Sequence, residues 1–278
     1  MAGDGRERQT PEAAAGVEAP RAAAARPAAD PSVDPAEIER FAALAERWWD
    51  RHGAFRALHA LNPVRIAYVR DALVADAPPE ARTEAATALK PLTGLRLLDV
   101  GCGGGLMAEP LCRLGARVVA VDAAEANVRA ARHHAEEQGL AIDYRHATAE
   151  ALAADGERFD AVLALEIVEH VADLDVFADA CASLVKPGGT LVVATLNRTL
   201  AAYALAIVAA ERILGWLPAG THDWTRFVRP AEMVRLLRRH GLTVADMRGM
   251  VYSPLAGGWT TSPNLAVNYI VHAQKPGA

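Results

Sequence analysis

The chain has 278 residues, of which 52% are hydrophobic and 23% are charged, a composition typical of a globular protein with a large core. The net charge is −5, the pI is near 6.0, and the sequence contains no block of basic residues that could bind nucleic acid phosphates. We therefore expect no nucleic acid partner. The three cysteines, Cys102, Cys112 and Cys181, contain no C-x-x-C pair, which argues against a disulfide framework or a structural zinc site. Such a chain is expected in a reducing cytosol.

The first 31 residues are rich in alanine and proline and carry almost no large apolar side chain. Burial within such a segment cannot offset the loss of chain entropy, so residues 1–31 are predicted to be a disordered tail. An organelle transit peptide is the alternative, but the acidic residues of this segment argue against it. No apolar run reaches the length of a membrane span, and the N-terminus has no hydrophobic signal core.

Residues 32–92 are predicted to form a helical extension. Asp34 followed by Pro35 is typical of a helix start, and apolar residues then recur at helical spacing as far as Trp48. A second helix is predicted to follow Pro63 and to end before the two prolines at 78 and 79. A third is predicted over residues 80–89.

From residue 93 onward, strand patterns alternate with helix patterns. Strands are predicted at 95–100, 117–122, 142–145, 159–165, 190–196, 242–250 and 267–273. Helices are predicted at 106–114, 124–138, 176–184 and 230–240. This alternation predicts an α/β fold, Rossmann-like and doubly wound, with a mostly parallel seven-stranded sheet and the N-terminal helical extension. Residues 93–278 are therefore expected to form one domain, with an insertion at 198–229.

A glycine-rich turn follows the first predicted strand, in a sheet type that binds ligands at the carboxyl ends of its strands. Four glycines lie within residues 101–105, and Asp122 ends the second strand 21 residues after Gly101. Glycines allow a ligand close to the backbone, and a carboxylate at that strand end can accept both hydroxyls of a ribose. The pair predicts an adenosine-containing cofactor. The order G-x-G-G-G favours one without a pyrophosphate over a dinucleotide, and a tight turn without a ligand is the alternative.

Several motifs carry a resemblance to a known family. DVGCGGG, VDAAEANVRAAR, ALEIVEHV and LVKPGGTLVVATLNR resemble the four motifs of class I S-adenosylmethionine-dependent methyltransferases. More narrowly, RWWD, LNPVR, GCGGGLMAE, EIVEHV, KPGG, TLNR and GTHDW resemble the ubiquinone biosynthesis O-methyltransferase family, over about residues 34–274. That family methylates polyprenylated hydroxyphenols and demethylubiquinol, so the resemblance implies this activity here. A nicotinamide-dependent oxidoreductase and a cofactor-binding protein without activity are the alternatives from other classes.

The resemblance also implies which residues bind the co-substrate. Those expected to bind S-adenosylmethionine are Arg65, Gly101, Gly103, Asp122 and Leu165. Without the resemblance, an arginine on an amphipathic helix is more often a solvated surface charge. Thr148 departs from the common pattern, since many relatives have an acid there for the adenine amine. The Thr148 hydroxyl, backbone groups or Glu150 must serve instead.

Glu166, Glu169 and His170 follow the fourth predicted strand. On a helical turn their spacing places them on one face. The resemblance implies that all three are catalytic and bind a divalent metal, usually magnesium. Imidazole is a poor magnesium ligand, so His170 is alternatively the general base, and a purely structural role at a helix start also stays open.

The insertion contains an uncharged apolar run at residues 199–210. This run is too short to span a membrane, and residues 199–217 are predicted to rest on anionic lipid, with burial in the core as the alternative. The expected partners are a polyprenylated phenol or quinol, the membrane surface and other enzymes of ubiquinone biosynthesis. The expected location is the cytoplasm, peripherally associated with the inner face of the cell membrane.

Overall fold

The structure is a computed structural model that describes residue 1 and residues 32–77, 88–204, 223–255 and 257–277. Three sequence predictions fall mostly outside these residues, namely the tail at 1–31, the helix at 80–89 and the surface element at 199–217. The domain boundaries drawn from the sequence stay predictions.

The N-terminal extension begins with helix α1 (Pro35–Ala42). Asp34 caps it by accepting a hydrogen bond from the Ala36 N–H at 3.1 Å, which confirms the predicted helix start. The helix ends earlier than its apolar spacing predicts. A 3-10 turn at Ala45–Arg47 follows and leads to Trp48, which packs in a cluster with Phe55 and Leu106 instead of continuing the helix.

Helix α2 (Arg56–Asp76) contains Pro63 in its interior, so the prediction that this helix begins after Pro63 is wrong. An interior proline costs a helix about 3 kcal/mol, because it removes a hydrogen bond and crowds the preceding turn. Tertiary contacts hold the first turns in place. The side chain of Asn62 donates to the Leu106 carbonyl at 2.8 Å, and His59 Nε2 lies 2.8 Å from the Trp48 carbonyl oxygen.

The strands and helices that follow alternate as predicted. The strands are β1 (Arg96–Val100), β2 (Arg117–Asp122), β3 (Asp143–His146), β4 (Phe159–Leu165), β5 (Val185–Leu196), β6 (Thr243–Ser253), β7 (Gly258–Ser262) and β8 (Asn268–Gln274). The helices are α3 (Ala108–Arg113), α4 (Glu125–Glu137), α5 (Ala149–Ala154), α6 (Leu174–Leu184), α7 (Leu200–Ala202) and α8 (Pro230–Arg239). The short helix α5 was not predicted.

In the described residues these strands form one sheet of eight strands, in the order β3-β2-β1-β4-β5-β8-β6-β7. The first five strands in this order pair in parallel, and the last three join antiparallel. The predicted count of seven is therefore one too low. The extra strand, β7, forms a hairpin with β6. Gly257, which immediately precedes β7 in the connecting turn, has a φ of +67°. Its five residues are too few and too polar to show a strand pattern.

Both faces of the sheet are covered, as a doubly wound sheet requires. Leu98 and Val162 belong to one buried cluster, whereas their neighbours Leu97 and Leu163 belong to another. Successive strand residues point to opposite faces, which explains this division. Within the described residues, no helix combines the length and apolarity that a membrane crossing needs.

Candidate active site

A cavity of about 1250 Å³ lies at the carboxyl ends of the parallel strands. Ligand pockets commonly measure about 300–1,000 Å³, so this one has room for more than one small molecule. Every site residue singled out in the sequence lines it, namely Arg65, Gly101, Gly103, Asp122, Leu165, Glu166, Glu169 and His170. The structure therefore brings together residues that lie more than a hundred positions apart.

Two parts of the cavity lie at opposite ends of the strand order. The loop end is lined by Gly101, Gly103 and Asp122, which follow β1 and β2. The hairpin end is lined by Tyr252 of β6 and Trp259 of β7, whose rings meet edge to face at 6.0 Å. The segment with Glu166, Glu169 and His170 follows β4, between these two in the sheet.

The glycine-rich turn is shaped by left-handed backbone conformations at Gly101 (φ +69°) and Gly103 (φ +51°). A Cβ on Gly101 would lie 2.2 Å from the Ile167 side chain, and one on Gly103 would lie 2.4 Å from the ring of Trp48. Both positions therefore exclude other residues on two grounds, backbone strain and lack of space. The turn is packed under the N-terminal extension.

Asp122 is tied to the protein by three hydrogen bonds. Its Oδ1 accepts from the Ala124 N–H at 2.8 Å and from the Asn127 side chain at 3.2 Å, and its Oδ2 accepts from the Gly103 N–H at 2.9 Å. Burial raises the pKa of this carboxyl, although the hydrogen bonds oppose the shift. A carboxylate has about four lone-pair sites, so Asp122 retains capacity for a ligand hydroxyl. The sequence did not reveal its structural role.

Asp99 lies beneath the same turn and is almost completely buried. Burial, together with the nearby charge of Asp122, raises the pKa of Asp99 to about 7. Its Oδ2 has no hydrogen-bond partner among the described residues. The loop end thus contains a second carboxyl, that of Asp99, whose pKa is raised by burial.

Arg65 is only 3% exposed, so the alternative of a solvated surface charge is wrong. Its Nη2 lies 2.7 Å from Glu166 Oε1, and its Nε has no hydrogen-bond partner in the described part of the chain. Glu166 has a φ of +54°, a strained conformation for a residue other than glycine. The Arg65 contact is with a predicted catalytic residue, and the guanidinium keeps a donor for a ligand.

Glu169 is buried beside Thr195, whose hydroxyl donates to Glu169 Oε2 at 2.8 Å. Burial and the adjacent Glu166 raise the pKa of Glu169 to about 7. His170 instead contacts residues of the N-terminal extension. Its Nδ1 is 2.8 Å from Glu37 Oε2, and its ring meets Phe41 edge to face at 5.1 Å. The segment is a turn and not the predicted helical face.

These three side chains therefore have three different partners. No three His, Cys, Asp or Glu side chains within the described ranges are grouped so that they could hold a metal ion. In this arrangement Glu166, Glu169 and His170 do not fit a three-ligand metal site, since two of them would first have to leave Arg65 and Glu37.

Thr148 and Glu150 both line the loop end near β3, and each makes a hydrogen bond within the protein. The Thr148 hydroxyl oxygen caps α5 by accepting from the Ala151 N–H at 3.2 Å. The carboxylate of Glu150 accepts from the Ser32 hydroxyl. Both side chains therefore have a hydrogen-bond partner within the protein.

Sequence reasoning missed several lining residues, chiefly Trp48, Asn127 and Glu37 on the loop side and Tyr252 and Trp259 on the hairpin side. A signal existed for Asn127, which lies one turn into α4 on the same side as Asp122. The other four residues are distant in sequence from the predicted site residues that they lie beside, and no local sequence pattern identifies them.

Comparisons with known proteins agree with this architecture. A family model described as a methyltransferase domain matches residues 98–193. Among solved structures, magnesium protoporphyrin IX methyltransferase from Synechocystis PCC 6803 with bound SAH has a TM-score of 0.60 at 23% identity, covering 87% of this chain and 100% of that one. At that identity the likeness concerns the fold alone.

Curated relatives are much more similar. The ubiquinone biosynthesis O-methyltransferase of Chelativorans sp. (strain BNC1) is 53% identical over 247 residues, which cover 89% of this chain and 96% of the relative. That of Methylobacterium sp. (strain 4-46) is 50% identical over 250 residues, covering 89% and 98%. Because this identity extends over nearly the full length of this chain and of each relative, the chain belongs to the ubiquinone biosynthesis O-methyltransferase family.

Proposed function

We propose that this protein transfers a methyl group from S-adenosylmethionine to a phenolic hydroxyl of polyprenylated hydroxyphenols and of demethylubiquinol. The observation that supports this most is one cavity that joins a glycine-rich turn and the carboxylate of Asp122 to an aromatic wall. The volume is large enough for a co-substrate and an acceptor together. The loop end takes the co-substrate, and the hairpin end takes the acceptor.

At the loop end, Asp122 accepts a hydrogen bond from a ribose hydroxyl, while Gly101 and Gly103 let the ligand approach the backbone. Leu165 flanks the co-substrate at the end of β4. Arg65 directs its unpartnered Nε toward the carboxylate of the methionine part, where a charge-assisted hydrogen bond is strong.

In the reaction, a phenolate oxygen bonds to the methyl carbon while the carbon–sulfur bond breaks, and its electron pair stays on sulfur to give S-adenosylhomocysteine. The protein holds the oxygen in line with that bond. The phenol proton must leave first, which at pH 7 and a pKa near 10 costs roughly 4 kcal/mol. His170 takes this proton. Both Glu37 Oε2, at 2.8 Å, and Arg40 Nη2, at 3.3 Å, lie near Nδ1, and the closer carboxylate favours Nδ1 as the donor and Nε2 as the basic nitrogen.

Magnesium bound by Glu166, Glu169 and His170 stays a prediction. A divalent ion would lower the pKa of a phenol that contacts it. The present contacts of these side chains favour the general-base role of His170 and require a rearrangement before a metal binds. Loss of activity in EDTA, with recovery on adding magnesium, would support the metal. Full activity in EDTA would contradict the prediction of a bound metal.

Association with the inner face of the cell membrane also belongs to the proposal, since a polyprenyl acceptor resides in the bilayer. Leu200, at the start of the segment 199–217, is 80% exposed. Two arginines that flank the segment are paired with carboxylates, Arg198 with Glu232 and Arg226 with Asp34, so less positive charge faces lipid than their number implies. Other enzymes of ubiquinone biosynthesis are proposed partners at the same surface.

Liposome sedimentation tests the membrane part. Replacing Leu205 and Ile207 with aspartate is expected to abolish binding to anionic vesicles and activity on long-tailed acceptors, while a soluble catechol is still methylated. The matched control is Leu89→Asp, at an exposed leucine distant in sequence. If the double variant unfolds, the segment belongs to the core.

The decisive experiment for the function is a methyl-transfer assay. Purified protein is given S-adenosylmethionine labelled in the methyl group, together with short-tailed demethylubiquinol or a prenylated catechol. Label in the O-methyl product, with an equal amount of S-adenosylhomocysteine, is the expected result. Binding of S-adenosylmethionine without product on either acceptor would refute the enzymatic proposal. Preferential binding of NADH would point to an oxidoreductase.

A further inference from the structure

Trp48 lies at the junction between the N-terminal extension and the loop end. Its ring stacks on Phe55 with centroids 3.7 Å apart and planes 6° from parallel, and it covers Gly103 and Gly104. The side chain is almost fully buried. Packing alone explains the apolar ring, but it does not explain the indole N–H.

The indole N–H begins a chain of hydrogen bonds. Trp48 Nε1 donates to Asn127 Oδ1 at 3.0 Å, and Asn127 Nδ2 donates to Asp122 Oδ1 at 3.2 Å. An indole can only donate, so it selects the amide oxygen of Asn127 and turns the amide NH₂ toward Asp122. Asn127 is 1% exposed, so water does not compete for these contacts.

We propose that Trp48 is a positioning residue that acts through Asn127 on Asp122, orienting the carboxylate that accepts a hydrogen bond from a ribose hydroxyl. Without the indole N–H, the Asn127 amide loses the contact that fixes its plane, and its NH₂ no longer holds Oδ1 of Asp122 in one position. The carboxylate then shifts relative to the ribose. The inference rests on the proposed binding of S-adenosylmethionine, and it adds a residue from the extension to that site.

The test measures the affinity of two ligands by calorimetry, S-adenosylhomocysteine and its analogue without the ribose 2′-hydroxyl. The variants are Trp48→Phe, Asn127→Ala and the double variant. Phenylalanine keeps a ring over the glycines and removes the N–H. The matched control is Trp224→Phe, which removes an indole hydrogen bond of 3.1 Å to the Thr199 carbonyl at another place in the fold.

Trp48→Phe is expected to weaken S-adenosylhomocysteine about fivefold, the size of one neutral hydrogen bond, and to weaken the analogue much less. The double variant is expected to bind no more weakly than Asn127→Ala, because the chain of contacts is already broken. Trp224→Phe is expected to bind both ligands as the wild type does.

Two results would overturn the inference. One is an equal loss for both ligands, which would mean that Trp48 only packs against the turn, and the other is an additive double variant. If Trp48→Phe fails to fold, Asn127→Ala alone decides, since unchanged selectivity for the hydroxyl would refute the chain of contacts. If the wild type itself does not distinguish the two ligands, the ribose role of Asp122 fails, and the proposed function is what needs revision.

Discussion

The loop end and the hairpin end of the cavity are built in different ways. The loop end is fixed by backbone groups and buried polar contacts, with three hydrogen bonds to Asp122 alone. The hairpin end is walled by side chains such as Tyr252, which is 59% exposed, and its tip carries the exposed Leu255. A polar ligand needs fixed partners, whereas an apolar one needs mainly area that can adapt. One cavity therefore combines a rigid polar half and an adaptable apolar half.

The largest expected effect on activity comes from replacing His170, which lies between the two halves of the cavity. His170→Ala is expected to lower kcat between about 100-fold and 1,000-fold, since it removes a general base, while the Kd of S-adenosylhomocysteine changes less than about threefold. Steady-state kinetics and calorimetry measure the two quantities. His133→Ala, at an exposed histidine on α4, is the control and should retain wild-type turnover. Equal losses in kcat and affinity would place His170 in the loop end instead.

At the loop end, Asp122→Ala is expected to weaken S-adenosylmethionine more than tenfold, because it removes hydrogen bonds to a charged acceptor. The variant should also melt at a lower temperature, since Gly103 and Ala124 lose their acceptor. Calorimetry and thermal denaturation measure both. Asp122→Asn keeps one oxygen and should fall between the two proteins in each assay. Unchanged affinity in the alanine variant would contradict the assignment of the loop end.

At the hairpin end, Tyr252→Ala is expected to raise the KM of a long-tailed acceptor about fivefold and to leave the Kd of S-adenosylmethionine unchanged. The lost aromatic area is partly exposed, so the effect stays near 1 kcal/mol. Kinetics with long-tailed and tail-free acceptors provide the comparison. Leu89→Ala should behave like the wild type. A change in co-substrate affinity would mean that the halves are coupled.

The last prediction concerns stability, and its size depends on pH. The folded-state pKa of Asp99 is about 7, above its ordinary value of 3.8, so the native state binds the proton more tightly than the unfolded state does. Asp99 therefore destabilises the fold increasingly as the pH rises from about 4 to 7. Relative to the wild type, Asp99→Asn should gain Tm at pH 8 and little at pH 4. An advantage that does not grow with pH would show that Asp99 is not buried as an acid.

The features that the sequence predicts are local or depend on regular spacing. Asp34 before Pro35 marks the start of α1, and the interval from Gly101 to Asp122 spans the helix α3 and the strand β2 that follow β1. Strand and helix patterns then place both residues at one edge of the sheet. Apolar periodicity specifies these features because each element buries one face.

The features that escaped prediction depend on contacts between distant residues. Trp48 and Asn127 are 79 positions apart, and the contact of His170 with Glu37 joins α1 to the turn after β4. Pro63 inside α2 is tolerated because Asn62 and His59 anchor that stretch elsewhere. β7 depends on its partner β6. Propensity cannot reveal such pairs, since tertiary packing decides them.

The position of β8 has a consequence for synthesis on the ribosome. Among the described strands this one comes last in chain order, yet it lies between β5 and β6, and most of its residues are fully buried. Until it emerges, both neighbours present unpaired edges, which are prone to join with other chains. A product terminated even a few residues before Asn268 would lack the centre of the antiparallel half. A stop codon placed between those for Ser262 of β7 and Asn268 of β8 should therefore yield aggregated or degraded chains instead of partly active ones.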